Sequence, residues 1–184
     1  VKVLDLRLDF DIPTFLFIGR LNSTQGAWDA GGTVLVATSD LNPTAALERG
    51  LCELSLHWET LVVTPTVGKN WRDVPYDPED MSLGWRTWWP MYQYYLNPQN
   101  APKLDFLSTG PGQVDFEALR DFSTGAPDSD LEVFLQQLDA RGLSAWVWDL
   151  VNFEVAETGF RVAKAIVPGL VEMTAGQQSR RLTS

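Results

Sequence analysis

The sequence predicts an α+β fold in which largely antiparallel sheets pack with a few helices. Apolar–polar alternation marks short strands, and apolar residues at steps of three and four mark helices. The two kinds of segment follow one another without a regular strand–helix–strand rhythm, and successive strands are joined by short turns. Both observations favour antiparallel sheets over a doubly wound parallel one.

Three strands open the 184-residue chain. Residues 1–8 (VKVLDLRL) alternate apolar and polar side chains, as a half-buried strand does. A turn over residues 9–13 leads into a second strand at 15–21, and residues 33–38 form a third. Because the chain starts inside a predicted strand, we expect a piece of a longer protein or one subunit of a split protein. A processed N-terminus is the alternative.

A long helix is predicted from Pro43 to about Val63. Asn42 is a suitable N-cap, and Pro43 suits the first helical position, where a missing N–H costs nothing. Apolar residues follow at helical spacing and are expected to form one buried stripe. Its members are Leu47, Leu51, Leu54, Trp58 and Leu61.

Composition shifts after this helix, where Pro, Asp, Asn and Trp dominate and periodicity is lost. We expect residues 65–110 to form a long insertion or loop rich in Trp and Tyr. The run WRTWWPMYQYY (85–95) is typical of rings that fix a long loop onto a core. It also suits stacking on a peptide, a carbohydrate or a nucleobase.

The C-terminal third predicts a helix at 129–142, followed by strands at 143–150 and 160–167. Asp128 or Ser129 is the expected cap and Gly142 the stop. Trp146 and Trp148 share one face of their strand, and we expect the helix to cover that face. The helix stripe predicted to be buried contains Leu131, Phe134, Leu135 and Leu138.

Charge and cysteine usage narrow the class of protein. The net charge is −10 and no Lys/Arg cluster is present, so a nucleic-acid surface is not expected. Cys52 is the only cysteine, which excludes an internal disulfide and suits a cytoplasmic protein. The sequence shows neither an apolar run of membrane-spanning length nor a signal peptide, so no membrane partner is expected.

Familiar nucleotide and zinc motifs are absent from the sequence. It contains neither a phosphate-binding GxxxxGK[ST] loop nor GxGxxG after a strand, and His57 is its single histidine. Nucleotide chemistry here would therefore depend on Mg²⁺ held by carboxylates. Glu53 fits best, because Arg49, Glu53 and His57 follow at four-residue steps on one side of the helix. The alternative is a solvated helix face with weak pairing.

Several blocks resemble the YcaO family of ATP-dependent enzymes that activate peptide-backbone amides. LDFDIPTFLFIGR is similar to the family's "d-x-x-I-P-v-f" strand pair, and the segment 143–170 is similar to its closing "v-D-l-T … V-P-G-L". MYQYYLNPQNAPKLDFL is similar to a linking segment of azoline-forming members. The family's helix pattern P-x-x-A-L-x-R-A-L-x-E-x-x-Q-x-R is matched at Pro43, Ala46, Leu47, Arg49, Leu51 and Glu53.

The resemblance implies roles for individual residues. Glu53 falls on a glutamate that helps hold Mg²⁺ and ATP, and Arg49 falls on the preceding arginine. Lys164 replaces an arginine that would contact phosphate, and Asp149 is expected to be structural. Two departures weaken the match, since Leu56 replaces the helix Gln and Trp58 the following Arg. The resemblance assigns no catalytic residue to this chain.

The resemblance also implies a reaction and partners. Residues 1–184 would be the C-terminal portion of a YcaO-like domain, with the N-terminal half missing. The whole would be an ATP-dependent cyclodehydratase that forms azolines in a ribosomally made precursor peptide, in natural-product biosynthesis. A leader-peptide-binding protein and a homodimer or heterodimer are expected, and ATP and Mg²⁺ should bind weakly or not at all to the isolated chain. A non-catalytic scaffold subunit and an unrelated α+β binding protein are the alternatives.

Overall fold

The structure is a computed structural model, and it describes residues 1–20, 32–59, 95, 98–110 and 112–170. The chain divides into two compact units, and their described residues are those up to Asp121 in the first and those from Phe122 to Leu170 in the second. Most of the predicted Trp/Tyr-rich segment lies outside the described residues, as does Leu61. In the described part, no helix has the length and apolar character needed to cross a membrane.

The first unit is built on an antiparallel sheet. Its strands are β1 (Lys2–Asp5), β2 (Thr14–Arg20) and β3 (Thr33–Ser39), in the order β1-β2-β3. Alternate side chains of β2 and β3 enter one core, as the pleat requires. Together with the antiparallel β-pair of the second unit, this sheet confirms the predicted α+β class. The buried core cluster consists of Phe15, Phe17, Val34, Val36, Ala46 and Leu54.

Helix α1 (Pro43–Trp58) covers the core face of this sheet with most of the stripe that we predicted, since Leu47, Leu54 and Trp58 pack in or against the core cluster. Leu54 is buried as expected, whereas Leu51 is 42% exposed. Ala46 and Gly50 are buried instead. The reason is steric: a Cβ at Gly50 would lie 1.9 Å from Cε2 of Phe17. The helix backbone therefore approaches the sheet along its small residues, which turns Leu51 away.

Two 3-10 helices complete the described part of the first unit. Pro98–Ser108 buries Leu104, and the Arg20 guanidinium ties it to the end of β2 through Asp105 at 3.1 Å. Phe116–Ala118 places the Phe116 ring 6.3 Å from the Phe15 ring, at the margin of the core.

The second unit contains α2 (Pro127–Asp139), β4 (Trp146–Asp149), α3 (Phe153–Glu157) and β5 (Ala163–Ile166). β4 and β5 pair antiparallel, so the two predicted strands are confirmed at shorter length. Gly142 adopts φ +67° after α2, which suits its predicted role as the stop. The predicted cap is wrong, because α2 starts at Pro127 behind Ala126.

Burial in the second unit differs from our prediction. Leu131, Phe134 and Leu135 of α2 are exposed, and Trp146 and Trp148 of β4 are 60% and 48% exposed. Helix α2 therefore does not cover the tryptophan face. No residue among the described positions 122–170 is buried. A two-stranded sheet with one helix of 13 residues and one of 5 residues contains too little chain to enclose a core.

Candidate functional site

The turn between β3 and α1 is held by a short series of hydrogen bonds. The backbone N–H of Asp40 donates to the Pro13 carbonyl at 3.1 Å, which anchors the turn to the start of β2. Oδ1 of Asp40 accepts the N–H of Asn42 at 3.0 Å. Oδ1 of Asn42 then accepts the N–H of Ala45 at 3.0 Å, so the predicted N-cap is confirmed.

Arg49, one of the predicted phosphate-binding residues, folds back onto this turn. Its Nη2 donates to Oδ2 of Asp40 at 2.8 Å, and its Nη1 donates to the Ser39 carbonyl at 3.5 Å. The Arg49 side chain is 54% exposed and that of Asp40 is 25% exposed. The guanidinium is thus held at two points and still accessible to a ligand.

Glu53, the predicted metal ligand, lies one helical turn beyond Arg49. It is half-buried and directly precedes Leu54, which is inserted in the core. Its carboxylate makes no hydrogen bond or ion pair with any residue that the structure describes. The four-residue spacing would permit a pair with Arg49, but Arg49 is engaged by Asp40.

The two departures from the family pattern occupy different environments. Leu56, which replaces a Gln, is 62% exposed and lies one turn from Glu53. Trp58, which replaces an Arg, packs against the core cluster and therefore contributes to the fold of the first unit. Only the Leu56 substitution removes a polar group from the surface next to Glu53.

Lys164 and Asp149 lie in the second unit. Lys164 is exposed on β5, in register with Trp148 of β4. Oδ1 of Asp149 accepts the N–H of Val151 at 2.9 Å, which is a local structural contact of the kind expected for this residue. Arg49 and Glu53 share helix α1, whereas Lys164 is carried by a different unit.

The carboxylates on α1 could supply only part of the coordination shell of a magnesium ion. In the described ranges, no group of three or more His, Cys, Asp or Glu side chains is placed to hold a metal ion. Mg²⁺, however, usually takes only one or two protein carboxylates and completes its shell with phosphate oxygens and water. Glu53 meets that requirement, since its oxygens are not already neutralised by a cation of the described structure.

Asp40 is the residue of this site that our sequence interpretation missed. The segment Ser39-Asp40-Leu41-Asn42-Pro43 was interpreted only as a turn before a helix. The available signal was an acidic residue nine positions before an arginine, across a strand-to-helix turn. No helical period connects such a pair, so only the folded turn reveals it.

Comparison with known families and structures identifies the family and the fold of the chain. The family model described as "YcaO cyclodehydratase, ATP- and Mg²⁺-binding" matches residues 1–171. Fold and match together define a domain of the cyclodehydratase type. The chain belongs to the YcaO family, and the resemblance seen in its sequence is confirmed.

Solved structures share the fold. The heterocyclase TruD is 20% identical with a TM-score of 0.56, and a heterocyclase in complex with substrate and cofactor is 19% identical with a TM-score of 0.61. Each comparison covers 91% of this chain but only 19% of the other. The chain therefore spans about a fifth of the length of these heterocyclases. A search of curated proteins gave no significant match.

Proposed function

We propose that this chain is part of an ATP-dependent cyclodehydratase that forms azolines in a ribosomally made precursor peptide. The observation that carries the proposal is the Glu53 carboxylate, held on α1 and not neutralised by any described residue, in a chain that matches the family over residues 1–171. Because the related heterocyclases are about five times longer, we propose that this chain supplies the C-terminal part of the domain.

The residues of the chain would bind and orient the nucleotide. Glu53 offers carboxylate oxygens to Mg²⁺, and Arg49 offers guanidinium N–H groups to phosphate oxygens. Lys164 would add a point charge without the two-pronged geometry of an arginine. When bound, ATP supplies the phosphoryl group that converts the oxygen of the attacked amide into a leaving group. A nucleotide held in place lowers the barrier chiefly by proximity and charge stabilisation.

Partners and context follow from the same proposal. A precursor peptide would be the substrate, a separate protein would bind its leader segment, and the enzyme would act in the cytoplasm as a homodimer or heterodimer. The Trp/Tyr-rich segment at 65–110 would be an insertion. We also propose that the isolated 184 residues bind ATP and Mg²⁺ weakly or not at all, since the described residues contain no group of three or more His, Cys, Asp or Glu side chains placed to hold a metal ion.

A second candidate function is a non-catalytic scaffold subunit of the same kind of complex. The observation that favours it is Leu56, an exposed apolar side chain one turn from Glu53 where the family pattern has a Gln. A nucleotide-binding surface loses a polar contact there. The two candidates differ in whether Glu53 is needed for turnover.

Replacement of Glu53 by Gln separates these candidates. The change is nearly isosteric and removes only the charge, so the fold should persist. In the complete enzyme assembled with its precursor peptide, we expect peptide-dependent phosphate release to fall at least ~100-fold, which corresponds to about 2.7 kcal/mol of barrier. Phosphate release is measured by a coupled assay under saturating peptide.

Glu48→Gln is the matched control, because Glu48 is an exposed glutamate on another side of the same helix. It should leave turnover unchanged. If Glu53→Gln retains full turnover in a complex that still assembles, the cyclodehydratase proposal for this chain is wrong. The scaffold role would then be the better account of α1.

A further inference from the structure

We infer that Asp40 is a positioning residue that holds Arg49 away from Glu53, so that the carboxylate stays available to a metal ion and the guanidinium to phosphate. The inference rests on the proposed function and concerns a residue with no role in the family pattern quoted above. It is based on the positions of the charged side chains of Asp40, Arg49 and Glu53 near the β3–α1 turn.

The first step is that Arg49 pairs with Asp40 and not with Glu53. Glu53 lies four residues further along the same helix, where a pair with Arg49 is geometrically accessible. Arg49 instead donates to Asp40 at 2.8 Å and to the Ser39 carbonyl at 3.5 Å. A guanidinium has five N–H donors in a rigid planar fork. Three of them have no acceptor among the described residues and can meet a phosphate.

The second step is the rigidity of Asp40. Its N–H is bonded to the Pro13 carbonyl, and its Oδ1 accepts the N–H of Asn42. One carboxylate oxygen is thus committed to the backbone, and the other is presented to Arg49. The side chain is only 25% exposed, so water competes weakly for it. Asp40 is fixed before any ligand binds.

The third step is the consequence for Glu53. If Asp40 lost its charge, Arg49 would be free to pair with Glu53 across one helical turn. That pair would neutralise the carboxylate and occupy part of the guanidinium. Residues that orient the groups of a metal site typically change metal affinity about 10- to 100-fold when they are mutated. The effect of Asp40 should therefore appear in the dependence of the reaction on Mg²⁺ and ATP.

The test uses Asp40→Asn, since the amide oxygen can still accept the Asn42 N–H and only the charge is lost. In the complete enzyme, we expect the dissociation constant of Mg²⁺–ATP, measured by titration calorimetry, to rise about tenfold, with a parallel rise in the Mg²⁺ concentration for half-maximal activity. Asp40→Glu should restore both values in part. Asp105→Asn is the control: it removes a different exposed Arg–Asp pair, the one with Arg20, and should change neither value.

A double variant tests whether Asp40 acts through Arg49. In the Arg49→Ala background, the addition of Asp40→Asn should have no further effect on the Mg²⁺ and ATP dependence. An additive effect, or a normal dependence in Asp40→Asn alone, would overturn the inference while leaving the proposed function intact. If Arg49→Ala changes neither parameter, Arg49 is not near the nucleotide and the inference also fails. The proposed function is tested separately by Glu53→Gln.

Discussion

At the scale of single residues, Gly50 sets the distance between helix α1 and the sheet. The Phe17 ring, fully buried in the core, occupies the space that a side chain at position 50 would need. Three ring atoms lie within 2.6 Å of the place where a Cβ would be. The position of the Arg49 and Glu53 backbone relative to β3 therefore depends on the absence of one carbon atom.

Gly50→Ala should destabilise the first unit. Alanine favours a helix over glycine by up to about 1 kcal/mol, but overpacking a core costs about 1–3 kcal/mol. Because Phe17 is enclosed on all sides, we expect a net loss of about 1–2 kcal/mol in urea denaturation. Cys52→Ala, at an exposed position of the same helix, should change stability by less than about 0.5 kcal/mol.

A double variant locates the clash. If the ring of Phe17 is its cause, Gly50→Ala combined with Phe17→Leu should lose less stability than the sum of the single changes. If the stability losses of the two single variants simply add, the added methyl group is not in conflict with the Phe17 ring. In that case the close approach would not govern how α1 packs.

At the scale of elements, two hydrogen bonds of the Asn42 side chain fix the start of α1. Its Oδ1 accepts the N–H of Ala45 at 3.0 Å, and its Nδ2 donates to Oδ2 of Asp121 at 2.8 Å. The helix is anchored further by Thr38 of β3, whose hydroxyl donates to the Ala46 carbonyl at 2.8 Å. These contacts hold the helix that carries Arg49 and Glu53.

Asn42→Ala should cost about 1 kcal/mol of stability, since it removes the side-chain acceptor of a helix N-cap. Asn42→Ser keeps an acceptor for Ala45 and removes the bond to Asp121, so it should cost less. Thermal and urea unfolding of both variants give the comparison. Equal losses for Ala and Ser would mean that the link to Asp121, and not the cap, stabilises this end of the helix.

The edge of the first sheet shows a separate electrostatic feature. The Arg7 guanidinium donates to the Asp5 carboxylate at 2.6 Å and lowers the pKa of that carboxyl below its ordinary value. A carboxyl whose pKa is lowered by folding stabilises the fold above its unfolded pKa. That contribution to stability is lost as the pH falls through the folded pKa of Asp5, the last residue of β1.

At the scale of the whole molecule, the two units differ in how much they bury. The first unit encloses a cluster of aromatic and aliphatic side chains between α1 and the sheet. In the second, every described residue is half-buried or exposed, including the two tryptophans of β4. Core burial supplies most of the free energy of folding, so the first unit should be the more stable of the two.

Trp148→Ala tests this difference. Because the Trp148 ring is 48% exposed, we expect a loss of less than about 1 kcal/mol in denaturant melting of the chain. Phe17→Ala, which removes a fully buried ring, should cost about 3–5 kcal/mol and is the matched comparison. A loss near that size for Trp148→Ala would show that its face is covered in solution.

The sequence by itself determined the fold class, the three N-terminal strands, the start of α1 at Pro43 and the family. These properties depend on local spacing: alternation in a strand, helical period, and a capping Asn before a Pro. The family match is likewise a property of residues in order along the chain. Arg49 and Glu53 could be nominated for the same reason, since both lie in one helical pattern.

Only the tertiary structure decided how closely α1 approaches the sheet, that Leu51 is left exposed, and what Arg49 binds. Helical period assigns Leu51 to the core, but the close approach at Gly50 turns the helix away from it. Asp40 meets Arg49 because a strand, a turn and a helix fold back on one another, and no sequence period encodes that contact. Packing across elements is the sum of many weak non-local contacts, so it becomes visible only once the chain is folded.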